Sequence, residues 1–88
     1  MRVEVHRKFL KDLAKLPTQE RQKIEHFVFE ESGQLTSIED DRRFKKLQGF
    51  STFYRARFGD YRVGVRYESN TLIFERVLHR KDIYRYFP

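Results

Sequence analysis

The chain contains no cysteine, so disulfides and cysteine-based metal sites are excluded, and the composition fits a reducing compartment. It also lacks any apolar run of signal-peptide or membrane-spanning length. Its opening residues, MRVEVHRKF, alternate charge with hydrophobicity instead, and we expect a soluble cytoplasmic protein. There is no glycine-rich phosphate loop, no dinucleotide fingerprint and no plausible Ser-His-Asp set. Three isolated histidines without cysteine offer no zinc-ligand spacing. His6 and His26 fall in or beside helices as surface or capping residues, and Asp40-Asp41 reads as a solvated turn.

What is present is a strong imbalance of charge. Across 88 residues the formal net charge is +6, and it is unevenly spread. Residues 1–41 hold seven Lys/Arg against nine Asp/Glu, whereas residues 42–88 hold twelve against four. A basic half on a small domain points to phosphate-bearing partners or to an acidic protein. The length implies one domain, 1–88, and 39% hydrophobic residues with nine Phe suffice for one modest core.

RVEV reads as a short strand. In RKFLKDLAKL, Phe9, Leu10, Leu13 and Leu16 recur at helical spacing up to the break at Pro17. Thr18 is placed to cap a second helix, TQERQKIEHFVFEES, with Glu20 favourable in its first turn. Ile24, Phe27 and Val28 form its buried stripe, and Gly33 closes it. Residues 33–43 look irregular, and FKKLQG reads as a short turn.

The period then changes to two. In FYRARF, Tyr54, Ala56 and Phe58 share one face and Phe53, Arg55 and Arg57 the other. Gly59-Asp60 is a turn, and YRVGVRY alternates Tyr61, Val63, Val65 and Tyr67 with Arg62, Gly64 and Arg66. Ser69-Asn70 supplies a second turn. The third strand, TLIFERVL, sets Ile73, Glu75 and Val77 opposite Leu72, Phe74, Arg76 and Leu78. We therefore expect an α+β fold in the order β-α-α-β-β-β, with the helix hairpin on one face of an antiparallel sheet. Arg55, Arg57, Arg62 and Gly64 would then lie on the uncovered face. Gly64 either leaves room there for a ligand or serves as a packing or bulge glycine. The tail HRKDIYRYFP is too short for a long helix.

Arginine forks match phosphate oxygens and stabilise developing charge, but they stay protonated. Cleavage of RNA through its own 2′-hydroxyl would need Tyr, His or Lys for the protons. Phenols ordinarily titrate near about 10 and need neighbouring cations for that task. Tyr84 and Tyr86 are available, and His79 is the histidine beside the cluster. Phe53 could stack on a base or be an edge residue.

The helix hairpin, the KLQG element, YRARFGDYR and the closing HRKDIYR, in this order over essentially the whole chain, resemble the RelE/ParE family of toxins from toxin–antitoxin operons. The resemblance implies a sheet of four-stranded antiparallel character packed on two helices, and a cognate antitoxin as partner. That antitoxin would bring acidic and apolar segments, covering the basic face or docking along the helices. Apolar residues of this chain such as Leu72 or Phe74, exposed at an edge, would make the isolated toxin less soluble. In the RelE branch the resemblance implies cleavage of mRNA in the ribosomal A site, without a cofactor. In the ParE branch it implies inhibition of DNA gyrase without RNA cleavage, and a third possibility is a weak toxin that mainly binds its antitoxin.

Carried over by motif, Arg62 and Arg80 would grip the scissile phosphate, with Arg57 and Arg55 complementing charge and backbone. Tyr84 would act as base or stacking platform. Lys46 and Lys81 are auxiliary RNA-binding residues, beside His79 and Phe53. The best-known pattern has lysine at both early strand positions. Here both are arginine, so the proton-transfer role passes to Tyr84 or His79.

Overall fold

The structure, a computed structural model, describes residues 1–88. Strand β1 (Arg2–Val5) leads into helix α1 (Arg7–Ala14), and α2 (Thr18–His26) follows the break at Pro17. After residues 27–43 come strands β2 (Phe44–Lys46), β3 (Phe53–Phe58), β4 (Tyr61–Glu68) and β5 (Thr71–His79). A single turn of helix, α3 (Ile83–Tyr86), follows. The sheet order is β1-β5-β4-β3-β2. Strands β2 to β5 form an antiparallel set, and β1 adds to β5 in parallel. The α+β fold expected from the sequence is present, enlarged by one edge strand and the final helical turn.

His6 caps α1, its Nδ1 accepting from the Lys8 amide at 3.2 Å. Thr18 does not cap α2. It is the first helical residue, and extended Pro17 precedes it, the Pro17 carbonyl accepting from Arg21 N–H at 2.9 Å. Proline's fixed φ and missing N–H suit that boundary. The second helix widens into a π turn at Phe27–Glu31 and tightens again at Ser32–Gln34, so Gly33 sits within the final tight turn. There Ser32 Oγ donates to the Val28 carbonyl at 2.7 Å, which satisfies a buried hydroxyl.

The two helices lay Phe9, Leu13, Ile24, Phe27 and Val28 on Ala56, Val63, Val65, Leu72, Phe74 and Val77 of the sheet. Phe27 is central, with ring centroids 5.4–6.1 Å from Phe44, Phe58 and Phe74. Burial of each such ring contributes about 1.5–3 kcal/mol. Leu72 and Phe74 are completely buried; they are not exposed at an edge, because β1 and α1 cover that side of β5.

The expected face assignment of β5 fails after Phe74. Gly64 pairs with Arg76 and Val65 with Phe74, leaving Glu75 as an extra residue. This bulge shifts the later residues by one, so Val77 joins Leu72 and Phe74 in the core. Beyond β1, the outer edge of β5 is satisfied by a side chain: Asp12 of α1 accepts from Val77 N–H at 3.1 Å and from Arg76 at 2.7 and 3.1 Å. Asp40 and Asp41 also do more than decorate a turn. Asp40 accepts from Thr36 and Ser37, and Asp41 takes both prongs of Arg43, at 3.0 and 2.7 Å. No helix is long and apolar enough to cross a membrane.

Candidate phosphate-binding site

The face of the sheet away from α1 and α2 is built by the β3–β4 hairpin. Its turn is left-handed at Gly59, φ 59°, a backbone conformation that glycine adopts without steric penalty. The alternation of the two strands sets Arg57 directly across from Arg62, and Arg55 across from Gly64.

Arg62 is the centre of this face. It is 9% exposed, and its Nη1 donates to the carbonyls of Gly59 at 2.7 Å and Tyr61 at 3.0 Å, fixing the guanidinium at the turn. No carboxylate pairs with it. Every buried side-chain polar atom has a partner, so the remaining nitrogens of Arg62 face solvent. Burial, then the charges of Arg57, Arg55 and Arg80, push its pKa below the ordinary guanidinium value, with Tyr84 acting in the other direction. Arg62 remains a cation at neutral pH, held where an anion would relieve both burial and repulsion.

Arg66, which shares this alternation, differs. It pairs with Glu75 and Glu68, and these partners raise its pKa. Of the four alternating arginines, Arg66 is compensated within the chain and Arg55, Arg57 and Arg62 are not.

Two C-terminal contacts complete the group. The Arg80 amide donates to the Asp60 carbonyl at 2.7 Å, tying the end of β5 to the hairpin turn beside Arg62. Its guanidinium, 57% exposed, lies 3.5 Å from Asp60 Oδ1, an exposed pair worth about 0–1 kcal/mol. Tyr84 is carried by α3, which is clamped by fully buried Ile83 and nearly buried Phe87. Gly64 is what permits this. A Cβ there would meet the Phe87 ring at 2.7 Å, so its missing side chain makes room for the protein's own C-terminal aromatic, not for a ligand. The face is therefore partly covered.

Phe53 packs edge-on against Phe87 and Phe50, both at 5.6 Å. Lys81 is exposed on the turn before α3. His79 and Lys46 are not with the arginines. His79 pairs in register with Tyr61, whose ring is 5.5 Å away, and its Nδ1 accepts from the Lys81 amide. That register puts it on the face of Val63 and Val77. Lys46 pairs with Tyr54 and lies 5.8 Å from its ring, also on the helix-bearing face.

One residue absent from the sequence reading belongs here: Lys45, across from Arg55. With Arg42, Arg43, Arg55 and Arg57 it lines a depression of about 320 Å³. The adjacent Lys45-Lys46 pair gives no alternation, so only the register of β2 reveals which one faces the arginines. A larger groove of about 500 Å³ runs along α2, lined by Gln19, Gln22, Lys23, His26, Arg43 and Phe58. Arg55, Arg62, Arg80 and Tyr84 are absent from that lining. No group of three His, Asp or Glu side chains is placed to hold a metal ion.

Forked cations around a half-sheltered Arg62, with a phenol at the margin, can hold a phosphate and stabilise added negative charge. Comparison with known proteins bears on this arrangement. The family model described as ParE toxin of type II toxin-antitoxin system, parDE, matches residues 3–84. The chain is 42% identical over 89 residues to Toxin RelE3 of Methanocaldococcus jannaschii, covering 100% of both chains. It is 29% identical to Putative toxin RelE1 of that organism, over 94% of this chain and 93% of the relative. Among solved structures it resembles a chain of the RelB-RelE antitoxin-toxin complex from Methanococcus jannaschii. The TM-score is 0.80 with 39% identity, over 97% of this chain and 99% of that one.

Proposed function

The chain belongs to the RelE/ParE toxin superfamily, with its named relatives favouring the RelE branch, and from this premise we propose that it is a ribosome-dependent mRNA endoribonuclease that inhibits translation. The observation that carries the proposal is Arg62: buried, without a carboxylate, and surrounded by Arg57, Arg55, Arg80 and Tyr84. A structural arginine at that depth would ordinarily have an acidic partner.

In this reading Arg62 and Arg80 hold the non-bridging oxygens of the scissile phosphate in the A site. Tyr84, acting as its phenolate beside these cations, takes the proton from the 2′-hydroxyl, the 2′-oxygen bonds to phosphorus, and the bond to the 5′-oxygen breaks. Water returns a proton to that leaving oxygen. The products are a 2′,3′-cyclic phosphate and a 5′-hydroxyl end. Arg57 and Arg55 stabilise the charge that grows on the phosphorane. No step routes through a metal or cofactor. Because the similar archaeal toxin was solved in complex with RelB, a cognate antitoxin is the expected protein partner, free to neutralise the charged face.

A second reading is favoured by the family model itself, whose description is that of a ParE toxin. In it the protein inhibits DNA gyrase, and the arginines contact protein instead of RNA. Primer extension on a defined message, with purified 70S ribosomes stalled at an open A site, separates the two. A discrete A-site cut, absent on naked RNA and lost in Arg80→Ala, supports the ribonuclease; Tyr84→Phe then tests the base. Folded, antitoxin-free protein that makes no cut refutes it, and gyrase supercoiling becomes the next assay.

A further inference from the structure

The charge distribution on the open face is not confined to Arg62. Two pairs of like charges stand directly across from one another on adjacent strands, Arg57 with Arg62 and Lys45 with Arg55. Such neighbours have Cβ atoms about 4.5–5.5 Å apart, and like charges in that position destabilise a sheet. None of the four has an acidic partner, whereas Arg66 on the same face has two. The depression between them is walled by Arg42, Arg43, Lys45, Arg55 and Arg57 alone. Of these, only Arg43 is neutralised, by Asp41. Arg42, Lys45 and Arg57 are exposed and free to close on an anion.

Arg62 on β4 lies across from Arg57, and Lys45 on β2 lies across from Arg55, so the two are two strand spacings and two residues apart, roughly 12 Å between backbones. The Arg62 guanidinium is fixed at the β3–β4 turn by the Gly59 and Tyr61 carbonyls and does not line the depression, so an anion in the depression is separate from one held at Arg62. We propose that the depression bounded by Arg42, Lys45, Arg55 and Arg57 is a second phosphodiester subsite. A single nucleic-acid strand held at Arg62 then runs across β4, β3 and β2 and leaves the sheet over its β2 edge. The inference rests on the reading that Arg62 holds a phosphate of the same strand. It assigns Arg42 and Lys45 a binding role with no part in bond cleavage.

The test is binding of a single-stranded DNA oligonucleotide of about eight nucleotides, which lacks the 2′-hydroxyl and so is not cleaved. Affinity is followed by fluorescence anisotropy across a range of salt concentrations. The Arg42→Ala/Lys45→Ala variant is compared with wild type and with Lys11→Ala/Lys15→Ala, which removes the same charge from exposed positions on and just after α1. The expected result is about tenfold weaker binding for the first variant, in line with loss of a charged hydrogen-bonded contact. Its plot of log affinity against log salt should be shallower by about 0.7, the value of one phosphate contact on a single strand. The helix variant should keep the wild-type slope.

Equal losses in both variants, an unchanged slope, or no oligonucleotide binding by wild type would each overturn the inference. So would unchanged oligonucleotide binding coupled with lost affinity for a polyglutamate peptide, which would make the depression a protein-docking surface. The ribosome assay fails independently. No A-site cut with a reduced salt slope sinks the ribonuclease and keeps the subsite, and an intact cut with an unchanged slope does the reverse.

Discussion

Replacing Gly64 with alanine tests how the C-terminal turn is held on the sheet. The added Cβ would lie 2.7 Å from Cγ and Cδ2 of Phe87 and 2.8 Å from Cε2. Carbon atoms in ordinary contact sit about 3.5–4.0 Å apart, so the ring must retreat by roughly 1 Å. It has little room, since Phe87 is 3% exposed and backed by Phe53. Overpacking of this kind costs about 1–3 kcal/mol, offset by about 0.5–1 kcal/mol from the lower chain entropy of alanine in a strand. A net loss of about 1–2 kcal/mol is expected, which for a domain of this size lowers Tm by roughly 4–16 °C. Urea or thermal unfolding of Gly64→Ala, Phe87→Ala and the double variant completes the cycle. Once the ring is gone the methyl group has nothing to strike, so the double variant should be no less stable than Phe87→Ala alone, a coupling of about 1–3 kcal/mol. If Gly64→Ala costs the same on both backgrounds, the strain lies in the strand and the reasoning is wrong. In the A-site assay Gly64→Ala should lose cleavage more than oligonucleotide binding, because Tyr84 moves with α3 while Arg62 does not.

Asp12→Ala leaves Arg76 and the Val77 amide without their acceptor, and a loss of about 2–4 kcal/mol in urea unfolding is expected. The Arg43 hydrogen bond holds the Asp41 carboxyl below its usual range. The unfolded chain therefore takes up that proton first, so the contribution is present above about pH 4 and is lost as pH falls through the folded value. Stability measured against pH should accordingly fall less steeply below about pH 4 in Asp41→Asn than in wild type. Ser69 and Asn70 both carry positive φ, 53° and 55°, so Ser69→Asn, which puts a residue more tolerant of the left-handed region at the first turn position, should raise Tm. Arg62→Lys keeps the charge and loses the fork; single-turnover cleavage on ribosomes should fall about 100-fold, and a wild-type rate would remove Arg62 from the mechanism.

The elements with local causes were legible. The spacing of Phe9 and Leu13, the break at Pro17, and the alternation of Tyr61 to Tyr67 between Gly59-Asp60 and Ser69-Asn70 all correspond to structure. What escaped depends on residues far apart in the chain. Three residues at Phe44–Lys46 become a strand only because Ala56, Arg55 and Tyr54 pair with them. The bulge at Glu75 hides in two consecutive polar residues, so strict alternation sent Val77 to the wrong face. Gly64 offered two explanations until Phe87 was seen beneath it. In the site, strand parity brought Arg55, Arg57 and Arg62 together, and the Arg80–Asp60 bond and α3 added Arg80 and Tyr84. The same parity placed His79 and Lys46 on the other face. Nearness in sequence to the cluster was the wrong guide, because each step along a strand reverses direction.

The parallel pairing of β1 with β5 sets the order in which a newly made chain can mature. Arg2 finds its partner at Thr71 and Val5 at Phe74, so the first strand synthesised waits for nearly the last. Until residues 71–79 emerge, β1 has no neighbour and the core lacks Leu72, Phe74 and Val77. Until Phe87 follows, α3 has no seat and Tyr84 no fixed place. A nascent chain that has emerged only as far as β4 thus has a basic hairpin without a completed sheet or core. The long sequence separation also predicts slow closure of the sheet, an interval in which the apolar faces of α1 and β4 stay open to solvent.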